Sequence, residues 1–337
     1  MLKKNKVKGL SLSTVKNFAI NNSFCYGTKE GITKISNNTM FSACSISKLI
    51  TSILVLMAKD EGLLFLDDDV NKHLKNWELK SDIDGKFATI EDLLTYQSGI
   101  VDDEDSYNVY DLKTGKHSVY DLIDGRTGYV KEKITIKREP KSSFAYSDSN
   151  FLILEKLLED LYKMPFRKLV KQKIFDPLEM RKSKYIDYHK LDSLDVAFGH
   201  DNNGNQVEKH KNIYPYDSVA GLWTTALDLS KLLVELLKGY REEKNKLLKS
   251  TTLEAMMTAH GCVDYAGYGV FVYKLRGKNV FYTQGWGVGF QSYMMGFLDD
   301  GDGIVIMMNQ NPEMEQLEGP IGDIVRNFID EKIFVNS

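Results

Sequence analysis

Hydrophobic spacing along this chain changes character twice. Residues 9–14 and 19–26 are rich in β-branched and aromatic side chains, which predicts two short strands turned at Lys16-Asn17. From residue 49 the pattern becomes helical. The run 49–58 is apolar enough for a buried helix, and Gly62 sits where a left-handed C-terminal cap belongs. Thr89, with Asp92 three residues on, opens a short capped helix that Gly99 closes. Leu152, Ile153, Leu157, Leu158 and Leu161 form one apolar side of a helix over 150–162. Further helices are predicted over 166–174, from Asp217 to Lys238, and over 251–259. The period then returns to strands at 267–275, 280–284, 291–298 and 303–309, with a last helix at 321–334.

Strands, many helices, then strands and a helix predict an α+β fold. The two ends complete one antiparallel sheet flanked by helices, and the middle is a mostly helical insertion. On this reading 1–66 and 218–337 form the sheet unit, and 67–217 the helical unit. Within the latter, 101–139 is polar and turn-rich, including Asp102-Asp103-Glu104-Asp105. A loop of that length in a compact chain points to a lid that shapes a substrate pocket.

Composition narrows the function classes. The chain has 337 residues, 42% hydrophobic and 27% charged, with formal net charge −3. That is an ordinary soluble composition, with no basic field for nucleic acid. No stretch approaches the ~18 apolar residues that span a bilayer. Met1 to Val7 is cationic but is not followed by the apolar core of a signal peptide. As given, the chain reads as cytoplasmic, or extracellular if an upstream segment has been trimmed. Cys25, Cys44 and Cys262 lack metal or disulfide spacing, and His189, His200 and His210 lack helical partners. Neither a metal nor another cofactor is expected. Asp67-Asp68-Asp69 reads as a solvated turn, and Asp299-Asp300-Gly301-Asp302 as a hairpin turn.

Three motifs carry chemistry. Ser45-Ile46-Ser47-Lys48 sets a hydroxyl and an amine one helical turn apart, at the positive end of the 49–58 helix. Tyr146-Ser147-Asp148 stands just before the helix of 150–162. Thr283-Gln284-Gly285 ends a strand and is followed by Trp286. Cys44 beside Ser45 is read as a small packed residue, since no histidine lies near in sequence to activate it.

With these motifs, and with Ile174-Phe175-Asp176-Pro177-Leu178 and Ala220-Gly221-Leu222-Trp223 in order, the chain resembles the serine β-lactamase-like, penicillin-binding-protein family. The branch is that of class C β-lactamases, D-alanyl-D-alanine carboxypeptidases, D-aminopeptidases and related esterases. The resemblance implies a serine hydrolase in which Ser45 attacks a carbonyl and forms an acyl-enzyme. Lys48 and Tyr146 would share the base role, each lowering the other's proton affinity. Backbone N–H groups of Ser45 and Trp286 would form an oxyanion hole, such donors being worth about 3–4 kcal/mol of barrier. Asp148, Thr283, Gln284, Gly285 and Trp286 would contact substrate.

Two positions depart from the family pattern. Asp148 stands where Asn is usual, and Thr283 where Lys or His is usual. Loss of the cation weakens recognition of a substrate carboxylate, unless Lys113, Lys116 or Arg126 of the lid replaces it. The expected substrate is a small ester or a D-amino-acid amide or peptide. The alternative is a non-catalytic or slowly turning over penicillin- or peptide-binding protein on the same fold, a sensor or weak β-lactamase.

Overall fold

The computed structural model describes residues 7–241 and 245–334. Strand β1 (Gly9–Lys16) turns into β2 (Ala19–Gly27) through Asn17 and Phe18. Their φ angles of 48° and 61° give the mirror-image turn that suits twisted strands. Late in the chain come β3 (Phe271–Leu275), β4 (Lys278–Gly287), β5 (Phe290–Phe297) and β6 (Asp302–Met308). These six strands make one antiparallel sheet in the order β2-β1-β6-β5-β4-β3, so the start of the chain pairs with its end.

Strand periodicity supplies both faces. In β6, Val305 and Met307 enter one core while Ile304, Ile306 and Met308 enter the other. The larger core is built with helices α1 (Ser47–Asp60), α2 (Ser149–Tyr162) and α3 (Ala226–Tyr240). Helix α4 (Pro320–Phe334) brings Ile321 and Val325 to the other face. The turn preceding α1 abuts β4 and β5, and α1 itself packs on α2 and the short helix Asp217–Ala220. Burial on so many sides is why α1 is apolar well beyond one stripe. Among the described residues no helix is long and apolar enough to cross a membrane.

Local signals are honoured where tertiary contacts do not compete. Thr89 and Asp92 form a reciprocal capping box on the helix Ile90–Leu94, though the helix stops there, well before Gly99. The helix expected from Asp217 to Lys238 is interrupted. Gly221 ends its first turn, and Leu222–Thr224 pairs as a strand with Phe41–Ser42 and Lys184–Tyr185. Thr225 then caps α3 by accepting from the Asp228 N–H at 3.1 Å. The strand expected from 267 begins only at Phe271, because Gly269, at φ 71°, turns its N–H onto the Leu94 carbonyl. The acidic stretches are turns: Asp68 receives Lys72 and His73, and Asp300 pairs with Lys278 at 2.6 Å.

The polar stretch 101–139 is packed down. It contains the helix Val119–Ile123 and the strand Thr135–Ile136, and buries Leu122, Ile123, Tyr129 and Ile136. The Tyr110 N–H reaches the Ile213 carbonyl at 2.8 Å, tying the stretch to the segment that leads into Asp217–Ala220.

Ile53 of α1 has 0% of its surface exposed. Ile53→Ala is expected to destabilise the protein by roughly 2–5 kcal/mol, read from urea unfolding midpoints. A change below about 1 kcal/mol would show that α1 can collapse onto the gap and is not rigidly enclosed.

Candidate active site

Ser45 lies on a tight 3₁₀ turn, Cys44–Ile46, immediately ahead of α1. Cys44 sits there at φ 47°, a left-handed conformation that non-glycine residues rarely adopt. The surroundings hold it in place. The Ala43 carbonyl accepts from Ser292 Oγ of β5 at 2.8 Å, and the Ala43 N–H reaches the Leu222 carbonyl at 2.9 Å. Ser47 Oγ donates to the Cys44 carbonyl at 2.7 Å and accepts the Leu222 N–H at 3.1 Å. Such strain at one residue, fixed from several directions, holds the Ser45 turn in place ahead of α1.

Strand β4 comes close because it carries glycine. A Cβ on Gly285 would stand 2.2 Å from the Ala43 carbonyl oxygen and 2.5 Å from Ser292 Oγ. One on Gly287 would meet Tyr214 Oη and Cys44 Sγ at 2.6 and 2.7 Å. No side chain fits between this strand and the nucleophile turn. Of its neighbours, Thr283 is buried and Gln284 half-buried. The Trp286 indole turns outward to Asn311 Oδ1 at 2.8 Å.

Lys48 is the centre of the cluster. It is 1% exposed, and Nζ donates to Ser45 Oγ at 3.0 Å and to the Val219 carbonyl at 3.2 Å. An ion pair with Asp148 Oδ1 at 2.7 Å completes its surroundings. The ring of Tyr146 lies 5.0 Å from Nζ, and that ring stacks on Tyr96 with centroids 4.7 Å apart. Ser45, Lys48, Tyr146 and Asp148 are thus brought together from two distant motifs.

The charge state differs from the expectation of a lysine poised near neutrality. Burial by itself lowers the proton affinity of Lys48, but the Asp148 carboxylate, helped by Tyr146, overcomes it and holds the ammonium above its ordinary value of 10.5. Cys44 is no rival nucleophile, since burial pushes its thiol up to about 11. Of the lid cations, Lys116 is paired to Asp217 at 3.0 Å and Arg126 to Asp121 and Asp124 at 3.0 and 3.2 Å. Lys116 thus ties the 101–139 stretch to the helix Asp217–Ala220, and Arg126 pairs within the stretch. Among the described residues, no cluster of His, Cys, Asp or Glu is arranged to hold a metal.

Sequence reasoning missed two participants. The Val219 carbonyl is one, since a backbone acceptor leaves no mark in a sequence. The other is Asp102, read from the sequence only as part of a polar, turn-rich stretch. Its carboxylate accepts from Ser147 Oγ at 2.9 Å and from the N–H groups of Asp148 and Ser149 at 2.5 and 3.3 Å.

Known proteins resemble this chain at low identity. The sequence model described as Beta-lactamase matches residues 2–323. "Protein flp" of Staphylococcus aureus strain N315 is 24% identical over 323 residues, covering 93% of this chain and 61% of that protein. The chain therefore spans about three-fifths of that relative. A "Teichoic acid D-alanine hydrolase" of Staphylococcus aureus is 23% identical over 214 residues, 63% of this chain and 50% of that one. Among solved structures, the octameric penicillin-binding protein homologue from Pyrococcus abyssi superposes with TM-score 0.78 at 23% identity, over 92% of this chain and 71% of that one. The D-stereospecific amidohydrolase from Streptomyces sp. gives TM-score 0.72 at 20% identity, over 91% of both chains. These structures share the fold of an antiparallel sheet with flanking helices.

The Lys48–Asp148 pair makes a signed prediction. In the wild type, a raised lysine contributes stability that is complete below its ordinary value of 10.5 and lost as pH climbs through the raised one. Asp148→Asn removes the larger of the two groups that oppose burial, so the lysine is expected to fall below its ordinary value and the slope to reverse. The variant is expected to be less stable at pH 7, near the low end of roughly 3–5 kcal/mol. It should recover as pH rises towards about 10. Urea unfolding of both proteins at about pH 7 and 9.5 checks this, and parallel pH dependences would contradict it.

Proposed function

Since the chain belongs to the Beta-lactamase family, a family of serine hydrolases, we propose that it is an acyl-enzyme hydrolase with Ser45 as nucleophile. The observation that carries the reading is the hydrogen bond from buried Lys48 to Ser45 Oγ at 3.0 Å. An ammonium so placed orients the hydroxyl and stabilises the alkoxide charge that grows on it, but as a donor it has no lone pair to take the proton. Tyr146, beside the same ammonium, is left to accept the proton from Ser45 as a phenolate and, as the phenol so formed, to return it to the leaving group. The N–H groups of Ser45 and Trp286 receive the oxyanion, with β4 held against the nucleophile turn by Gly285. Water then hydrolyses the acyl-enzyme by the same route in reverse.

Charge supports a substrate class. The site carries the Asp148 carboxylate, itself paired to Lys48, and a neutral Thr283, and two of the candidate cations of 101–139, Lys116 and Arg126, are paired to Asp217, Asp121 and Asp124. Asp148 keeps 25% of its side chain exposed beyond the oxygen facing Lys48. Such a site disfavours a substrate carboxylate and suits an acyl group bearing an ammonium, as in a D-aminoacyl ester or amide. The names of the Staphylococcus aureus and Streptomyces relatives, a teichoic acid D-alanine hydrolase and a D-stereospecific amidohydrolase, agree with that class. Thr283 is also the feature that favours the second reading, a protein that acylates and turns over slowly.

The test compares wild type with Ser45→Ala on a chromogenic D-alanyl ester and its N-acetyl counterpart, with intact mass followed in parallel. Turnover should fall by roughly a thousandfold or more in Ser45→Ala. The free-amine ester should be preferred in kcat/KM by at least about tenfold, the equivalent of ~1.4 kcal/mol. A lasting acyl adduct without turnover would support the slow reading. Hydrolysis unaffected by Ser45→Ala would overturn both.

A further inference from the structure

Asp148 occupies the N-cap position of α2, yet does not behave as a cap. An aspartate there ordinarily adopts an extended backbone and folds its carboxylate back onto the first free N–H groups of the helix. Asp148 instead has helical angles, φ −71° and ψ −32°, and makes no side-chain cap bond. Its carboxylate is turned to Lys48. Four donors at the start of the helix are satisfied otherwise. Asp102 accepts the Asp148 and Ser149 N–H groups, and the Asp148 carbonyl accepts those of Phe151 and Leu152 at 3.0 and 3.3 Å.

Asp102 also stands at the head of the packed stretch 101–139. Close by, Tyr107 Oη is 2.5 Å from Ser149 Oγ, and the Tyr107 N–H is bonded to the Tyr129 carbonyl at 3.0 Å. One carboxylate from outside the motif therefore receives three donors from three consecutive residues, Ser147 and Asp148 of the motif and Ser149 of α2. That arrangement fixes the backbone between Tyr146 and α2.

We propose that Asp102 is a positioning residue for catalysis: it caps α2 in place of Asp148 and so leaves Asp148 free to hold Lys48. The 101–139 stretch is on this account a strut that sets the second motif against the first, through its first acidic residue. The catalytic consequence rests on the serine-hydrolase reading above; the geometric one does not.

The experiment uses the full chain in five forms: wild type, Asp102→Ala, Asp102→Asn, Asp148→Asn, and the double variant Asp102→Ala/Asp148→Asn. A crystal structure of Asp102→Ala is the first readout. Asp148 should leave Lys48 and accept from the N–H groups at the start of α2; an intact contact near 2.7 Å would overturn the proposal. The second readout is the rate at which a fluorophosphonate labels Ser45. Asp102→Ala should slow labelling by roughly ten- to a hundredfold, a share of what positioned acid–base groups supply. Asp102→Asn, which keeps one acceptor oxygen, should fall in between. Because Asp102 acts through Asp148, the double variant should label no slower than the slower single one. Multiplied losses would assign Asp102 a merely structural role and overturn the proposal. Should wild type fail to label at Ser45, the serine-hydrolase reading falls, and the crystal structure alone decides the role of Asp102. If Asp102→Ala does not fold, the same structural criterion applies to Asp102→Asn.

Discussion

An ammonium buried in the protein interior is tolerated only with partners, and Lys48 organises this molecule through that requirement. Its partners come from three places: Ser45 on its own turn, the Val219 carbonyl from the segment before α3, and Asp148 from the start of α2. Satisfying one charge thus fixes the relative positions of three segments that no local propensity brings together. The same contacts divide the chemistry. On the proposed reading, a lysine held as a cation by a carboxylate orients and stabilises, and the base role is left to the Tyr146 phenolate.

The fold serves this arrangement by closing the chain on itself. Pairing of β1 with β6 places the first and last parts of the sequence in one sheet, and β4 and β5 of that sheet meet the nucleophile turn. Gly285 permits the approach, since any Cβ there would collide with the Ala43 carbonyl. On the opposite side, the stretch 101–139 reaches both the start of α2, through Asp102, and the helix Asp217–Ala220, through Lys116. The site is thus bordered by β4 and by a stretch with its own buried side chains.

Much of this was legible in the sequence because it is local. The hairpin at Asn17, the capping box of Thr89 and Asp92, and the apolar run behind Lys48 each depend on residues a few positions apart. The α+β order and the resemblance of the three motifs to serine β-lactamase-like proteins led to the fold and family. What escaped was non-local. Leu222–Thr224 looks helical in its own context and becomes a strand because Phe41–Ser42 offers it a ladder. Asp102 reads only as part of a polar, turn-rich stretch and is recruited by three donors distant in sequence. The departure at Asp148 was visible as a residue type, but its pairing with Lys48, and hence the sign of the lysine's shift, needed three dimensions.

The central claim is that Lys48 remains an ammonium throughout the neutral range. It is tested most directly by carbon-13 NMR of lysine Cε, with Lys48→Arg used to assign the resonance, titrated from about pH 6 to 11. This account predicts that the Lys48 signal does not titrate below its ordinary value of 10.5. A titration centred near neutrality would contradict it and return the base role to the lysine.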